Sequence, residues 1–342
     1  MKRALFAGCL AVMMLLSLGA VLLTPDALAD GTSSQETWHS APEKQAQEIS
    51  ETAQTADVEP VQTFDEGCLI SMRNGDAVTE LPLSDYLCGV VLAEMPPSFE
   101  PAALEAQAIA ARTFVLKQSQ NSKHENADVC ADGACCQQYL SPQRAKEKLG
   151  GQFTQYDDKI RQAVEHTDGL VITYQGELID AVYFSCSGGA TEDAVAVWGG
   201  DVPYLQSVES PGEEISSKYT DSTSVQVTAF RDKILSAYPH AVLTGEPAGW
   251  FGAAVHSAGG GVQTLEIGGV SIPGTELRSM FSLRSTWFTI SLEGDSIVFA
   301  TRGYGHRVGM SQYGAQAMAL EGADAAKILQ HYYTGVELTQ MA

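Results

Sequence analysis

The chain has 342 residues, 44% of them hydrophobic, enough to bury a large core in one big domain or two small ones, which excludes a wholly disordered protein. Its 42 acidic against 20 basic residues give a formal net charge of -22. A surface so charged repels the phosphate backbone of DNA or RNA, so nucleic acid is excluded as a partner.

Met1, Lys2 and Arg3 precede an uncharged run from Ala4 to Leu23. That run is long enough to cross a bilayer as a helix, and its basic end stays inside, which puts the rest of the chain outside the cytoplasm. A small-x-small cleavage pattern at Ala27 to Ala29 leaves two fates open for residues 1–29, a retained single-pass anchor in the cell membrane or a cleaved signal segment. Residues 30–63 are rich in Ser, Thr, Gln, Glu and Ala without an apolar period and read as a flexible extracytoplasmic linker.

An ordered domain is expected over 64–342, with regular structure beginning near Gly67. In "CLISMRNGDAVTELPL" Asn74 and Gly75 separate two strand-like runs, a hairpin signal. Ser84 is placed to cap the helix of "SDYLCGVVLAEMPP", which Pro96 and Pro97 stop, and Pro101 suits the first turn of the next helix, "PAALEAQAIAARTFVLKQ". A helix is expected from about Ser141, a hairpin about Gln175 and Gly176, and a helix in "VTAFRDKILSAY". Strands follow in "VQTLEIGGVSI", "WFTISL" and "SIVFAT", the last two joined at Gly294, and "DAAKILQHYY" closes the chain as a helix. Without a regular βαβ period the fold class is α+β, a mixed β-sheet with interspersed helices behind an N-terminal transmembrane helix.

Glu94 ends the first of these helices, among Val90, Val91, Leu92 and Met95. The negative end of the helix dipole and partial desolvation both favour its neutral form, the condition for a general acid near neutral pH. The plainer alternative is a solvent-facing Glu that happens to end a helix.

Between this region and Ser141 lies "KHENADVCADGACC". His124, Cys130 and Cys136 are spaced six and six, an imidazole and two thiolates that zinc accepts. Adjacent cysteines in an extended loop point apart, so Cys136 is chosen on spacing, with Cys135 as the substitute. Three protein ligands leave a fourth position for water or for a group such as Glu94. A disulfide from Cys130 to Cys135 or Cys136, or free thiols, are the alternatives. No C-x-x-C pair occurs there, which argues against a redox enzyme.

Three blocks, "YLCGVVLAEMPPSFEPAALEAQAIAARTF", "YFSCSGGATE" and "GYGHRVGMSQYGAQAMALEG", resemble those of the stage II sporulation protein D family and of the related amidase enhancers, in the family's order, over about Cys68 to Leu338. The resemblance implies a lytic transglycosylase that cuts peptidoglycan strands during engulfment in endospore formation, with Glu94 as its catalytic residue and no cofactor needed. It also implies a substrate stripped of stem peptides and a membrane-associated amidase of the stage II sporulation protein P type as working partner. The rival reading is a glycan-binding activator of a cell-wall amidase, without turnover.

Orientation of the sugar then falls to Gln107 and Arg112, which lie not far from the same helix face. Arg112 is matched to the lactyl carboxylate of muramic acid, or else to an internal ion pair. Tyr183, Ser185, Ser187, Gly188, Gly189 and Glu192 form a strand and Gly-Gly turn whose amides could approach a ligand, or a plain β-turn. His306 and Gln312 come from the third block, where His306 could bond sugar, help hold Glu94, or serve the structure alone. Two departures from the family pattern are Cys186, in place of a small hydroxyl residue, and Arg307, in place of Gly beside the expected cleft.

Overall fold

A computed structural model describes residues 62–342. The expected membrane segment, and the linker up to residue 61, lie outside the described residues. No helix of the described residues is long and apolar enough to cross a membrane.

The first core is built around the helix Pro101–Ser119, whose Ala103, Ala106, Ala108, Ala110 and Ala111 are buried. Small side chains on several faces let neighbours approach from several directions. The helices Leu83–Glu94, Phe153–His166, Gln312–Leu320 and Ala325–Tyr332 all pack against it. Pro101 occupies the first turn as expected. Leu83, not Ser84, opens the preceding helix: the Leu83 N–H is taken by the Cys68 carbonyl at 2.8 Å, so the helix starts directly off strand Ala77–Pro82 and Ser84 falls inside its first turn.

A second core of buried residues, including Phe230, Trp250, Phe281, Phe288 and Phe299, fills the segment between Thr220 and Arg302. Two three-stranded antiparallel sheets form it, Phe251–His256 with Val262–Ile267 and Val270–Pro273, and Thr220–Gln226 with Ser296–Arg302 and Phe288–Glu293. The helices Val227–Ala237 and Gly274–Phe281 lie in the same segment. Chain entry and exit run side by side, since Thr220 pairs with Arg302.

The class is α+β, but one mixed sheet is not what forms. Among the described residues the strands make five small sheets of two or three strands, and the parallel pairs are short, Met72–Arg73 with Val129–Cys130 and Tyr183–Phe184 with Met310–Ser311. The first hairpin turns on Gly75 and Asp76, with Asn74 paired to Ala77, one residue later than its sequence signal.

Candidate active site

Each of the three sequence blocks delivers a side chain to one cleft of about 430 Å³, at the edge of the first core. Glu94 is the last residue of its helix, and Met95, extended at φ -113° and ψ 147°, caps it. Gln312 is the first residue of Gln312–Leu320, a helix capped by Ser311, which accepts from the Gly314 N–H. Because Ser311 also ends a strand paired to Tyr183–Phe184, Gln312 and Tyr183 are fixed in register beside Glu94.

Glu94 is half-buried, and its two oxygens have different partners. Oε1 accepts from the Gln138 backbone N–H at 3.0 Å and Oε2 from the Gln312 amide at 3.3 Å. Burial raises its pKa above the ordinary 4.5, and those two hydrogen bonds and the charge of Lys218 oppose the rise. Among the described residues lining the cleft, Glu94 is the sole carboxylate.

Tyr183 stands in a polar relay: the Tyr86 hydroxyl donates to Gln137 Oε1 at 2.8 Å, and Gln137 Nε2 donates to the Tyr183 oxygen at 2.8 Å. The Tyr183 proton is therefore available as a donor. Burial, reinforced by the nearby Glu94 charge, pushes that phenol well above its ordinary value. Gln107 is fully buried beneath the cleft and accepts from Gln312 at 3.4 Å, so it positions Gln312 from below. Ser185 lines the cleft, and its carbonyl accepts from the Tyr313 N–H at 3.0 Å.

His306 also lines the cleft, with its ring 5.5 Å from Phe184 and 5.3 Å from Trp198. Its Nδ1 accepts from the Val308 N–H at 3.1 Å, and burial, with the Arg278 charge second, lowers its pKa to about 4. The imidazole is neutral, and its contacts are to aromatic rings and backbone rather than to Glu94.

Five expected residues fall elsewhere. Arg112 is wholly buried, with Nε 2.8 Å from Asp65 Oδ1, and also donates to the Leu170 carbonyl at 3.0 Å. No side of its guanidinium is left for a sugar. Ser187 and Gly188 turn inward, where the Ser187 N–H and hydroxyl and the Gly188 N–H all donate to buried Glu213, at 2.6, 2.8 and 3.1 Å. The Gly189 N–H is taken by Ser187 Oγ at 3.0 Å. The Ser187 and Gly188 amides thus hold a carboxylate of the protein itself, and none of the three amides is left for a ligand. A Cβ at Gly188, which has φ +80°, would come within 2.8 Å of the Gly303 backbone, so close packing explains this glycine. Glu192 is buried and bonds Arg307 at 2.9 Å. Arg307 itself, at φ +68°, points into the protein and not the cleft. Cys186 donates to Glu213 at 3.0 Å, and burial pushes its thiol up to about 12.

Sequence reasoning missed Asp65, Gln137, Gln138, Lys218 and Tyr304. Lys218, Tyr304, Gln137 and Gln138 all line the cleft. Only Tyr304 lay inside a quoted block, "GYGHRVGMSQYGAQAMALEG".

His124, Cys130, Cys135 and Cys136 bring one ligand atom each to within 4.8 Å of one another. The expectation that adjacent cysteines diverge does not hold, because the loop is not extended: the N–H groups of Cys135 and Cys136 both bond the Asp132 carbonyl, at 3.0 and 2.7 Å, in a tight turn that gathers both thiols. His124 Nε2 is 3.1 Å from Cys136 Sγ and 3.7 Å from Cys135 Sγ. A tetrahedral site with ordinary bond lengths needs about 3.6 Å between an imidazole N and a thiolate S. One nitrogen and three sulfurs at these spacings are a metal-compatible donor set.

The loop is held to the Glu94 helix at Gly89. A Cβ there would sit 2.1 Å from the Tyr139 ring, which stacks on Tyr86 with centroids 6.0 Å apart.

The family model described as "Stage II sporulation protein" matches residues 72–174. Stage II sporulation protein D of Bacillus subtilis (strain 168) is 37% identical over 267 residues, which cover 77% of this chain and 76% of that protein. Its counterpart from Bacillus amyloliquefaciens is 36% identical over the same shares. An amidase enhancer of Bacillus subtilis (strain 168) is 29% identical over 301 residues, 74% of this chain and 40% of that protein. The matches are of the sporulation and cell-wall class. Within it, the chain belongs to the stage II sporulation protein D family.

Proposed function

We propose that this chain is a lytic transglycosylase that cleaves the MurNAc–GlcNAc strands of peptidoglycan during engulfment, with residues 1–29 placing it at the cell membrane and the cleft outside. The observation that carries this reading is a single carboxylate, its pKa raised by burial, in a polar cleft with no second acid among the described residues that line it. Hydrolytic glycosidases use two carboxyl groups, one to donate a proton and one to act as base or nucleophile. The lytic reaction needs one.

Glu94 protonates the oxygen leaving C1 of N-acetylmuramic acid, and that bond breaks with oxocarbenium character. The C6 hydroxyl of the same sugar attacks C1 while the Glu94 carboxylate takes its proton, closing a 1,6-anhydro ring and restoring the acid. Intramolecular attack supplies its own proximity. Tyr183 supplies a fixed donor that orients the sugar, and the Gln138 N–H and the Gln312 amide steady the carboxylate in its basic half of the cycle.

The test is mass analysis of products from purified glycan strands. Wild-type protein yields 1,6-anhydro ends and Glu94→Gln yields none; new reducing ends from the wild type would mean hydrolysis and overturn the reading. The likeness to an amidase enhancer favours a second reading, a glycan-binding activator without turnover. In that case Glu94→Gln stimulates a cell-wall amidase as well as wild type does. The working substrate is glycan already stripped of stem peptides, and the partner that strips it is a membrane-associated amidase of the stage II sporulation protein P type. Intact sacculi cut as fast as amidase-treated ones would separate the two activities.

We also read the His124, Cys130, Cys135, Cys136 cluster as a zinc site. Zinc there supplies structural cross-linking of the loop. The chain's own residues carry the chemistry: Cys136, Gln137 and Gln138 of that loop line the cleft, and Gln138 bonds Glu94.

A further inference from the structure

The cleft continues past Glu94. Lys218 and Tyr304 line it and also line an adjoining hollow of about 610 Å³, whose other walls include Asp221 and Arg284. Both cations sit over one ring: Lys218 Nζ is 5.1 Å and the Arg284 guanidinium 5.6 Å from the Tyr304 centroid. Tyr304 keeps 41% of its surface exposed, so the ring is a platform open to the cleft. Arg284 has a counter-ion, Asp221 at 3.0 Å. Lys218 has no carboxylate within ion-pair distance among the described residues, although acidic residues outnumber basic ones 42 to 20 in the chain. It is half-buried at the wall of the cleft that holds the single acid.

We propose that Lys218, set on Tyr304 and backed by Arg284, is an anion subsite that receives the free lactyl carboxylate of a muramic acid residue. Naming that carboxylate rests on the transglycosylase reading above. The role falls to Lys218 because Arg112, the residue matched to it by sequence, is spent on Asp65.

The chemistry distinguishes stripped from intact strands. While a stem peptide is attached, the lactyl group is an amide: it carries no charge, and a peptide branch extends from the point that would meet the ammonium. Removal of the peptide exposes a carboxylate directly on the sugar's ether arm. Such an anion makes a charge-assisted hydrogen bond to Lys218, in a partly desolvated place where it is screened less than on the open surface. An acid-rich protein otherwise repels an acidic polymer, so one unpaired cation decides where the anion can sit. The subsite thus makes the product of a peptide-removing amidase the preferred substrate.

The experiment compares two probes on the full chain carrying Glu94→Gln, so that binding is read without cleavage. One probe is amidase-stripped glycan strands; the other is the same strands with their lactyl carboxylates capped as methylamides. Stripped strands bind tighter by about tenfold or more, as a hydrogen bond to a charged group requires. Adding Lys218→Met weakens only the stripped strands and brings the ratio close to one, whereas Lys218→Arg keeps most of it. Equal binding of both probes by the parent, or a ratio that survives Lys218→Met, overturns the subsite. The parent comparison needs no change at Lys218, so it decides even if Lys218→Met fails to fold. Wild-type protein that releases no anhydro ends while the binding ratio persists would remove the transglycosylase chemistry and support the subsite.

Discussion

Glu94 carries opposing influences, and their balance sets what it can do. Burial favours the neutral acid, while two hydrogen bonds and Lys218 favour the carboxylate, and burial wins. Because the folded pKa is raised, the site's contribution to stability is fully present below the ordinary value of 4.5 and is lost as pH rises through the folded value. Glu94→Gln removes that loss. It is expected to melt above wild type at about pH 8, with the gap closing toward about pH 4, while its output of anhydro ends is lost. Calorimetry across that range checks the first half, and a melting difference that does not change with pH contradicts it. Wild-type turnover should fall as pH rises through the same folded value, since the proposed first step needs the protonated acid. Arg112 behaves in the opposite way. Arg112→Met leaves Asp65 buried without a partner and should cost about 3–5 kcal/mol of folding stability, with the anhydro product unchanged in kind for whatever protein folds. A normal melt with lost glycan binding would instead return Arg112 to the substrate.

At the scale of elements, the loop from Val129 to Leu140 joins the cysteine cluster to the acid. Its Asp132 turn gathers the thiols of Cys135 and Cys136, Gln137 feeds Tyr183, and Gln138 reaches Glu94. We expect the purified protein to hold about one equivalent of zinc by elemental analysis. Loading apo protein at a hundredfold excess over Kd should stabilise it by about 2.7 kcal/mol. Cys135→Ser should weaken zinc binding alongside Cys136→Ser; unchanged affinity in Cys135→Ser would return the site to three protein ligands. Cys135, the fourth member of the cluster, shows where sequence reading stops. The helix end at Glu94, the Pro101 start and the Gly294 hairpin were legible because proline, glycine and caps act on neighbours in the chain. Six-and-six spacing found His124, Cys130 and Cys136, but the direction of Cys135 depended on a turn that no local signal marks. Asp65, 47 residues before Arg112, and Lys218, outside every block, reach their places through tertiary contact alone. The aromatic second core was legible as strands and a helix, but not as a separate packing unit.

Across the whole molecule, the cleft lies where the chain leaves the first core near Lys218 and returns through Tyr304, and Arg307 ties the two parts together nearby. Its guanidinium donates to the Ser187 and Ala190 carbonyls on one side, at 2.8 and 2.7 Å, and to the Gly259 carbonyl on the other, at 2.5 Å. Trp287 of the second part lies 4.7 Å beneath it. Glu192 completes the tie, accepting from Arg307 and from the Gly261 N–H at 2.9 Å each. A side chain at φ +68° is held in a left-handed conformation that costs about 1–2 kcal/mol, so the tie must outweigh that strain. Arg307→Met should lose about 3–5 kcal/mol, because it strands Glu192 as a buried charge with no cation. Adding Glu192→Gln removes the stranded charge, and the double variant should therefore recover part of the loss relative to Arg307→Met alone. Denaturant melts of the two singles and the double measure this directly. Limited proteolysis gives the structural readout, with the Ser257–Gly261 turn cut faster in Arg307→Met than in wild type, since its carbonyl at Gly259 has lost its donor. Two losses that simply add would mean that Arg307 and Glu192 act separately and that packing on Trp287, rather than the buried ion pair, holds the two parts in register around the cleft.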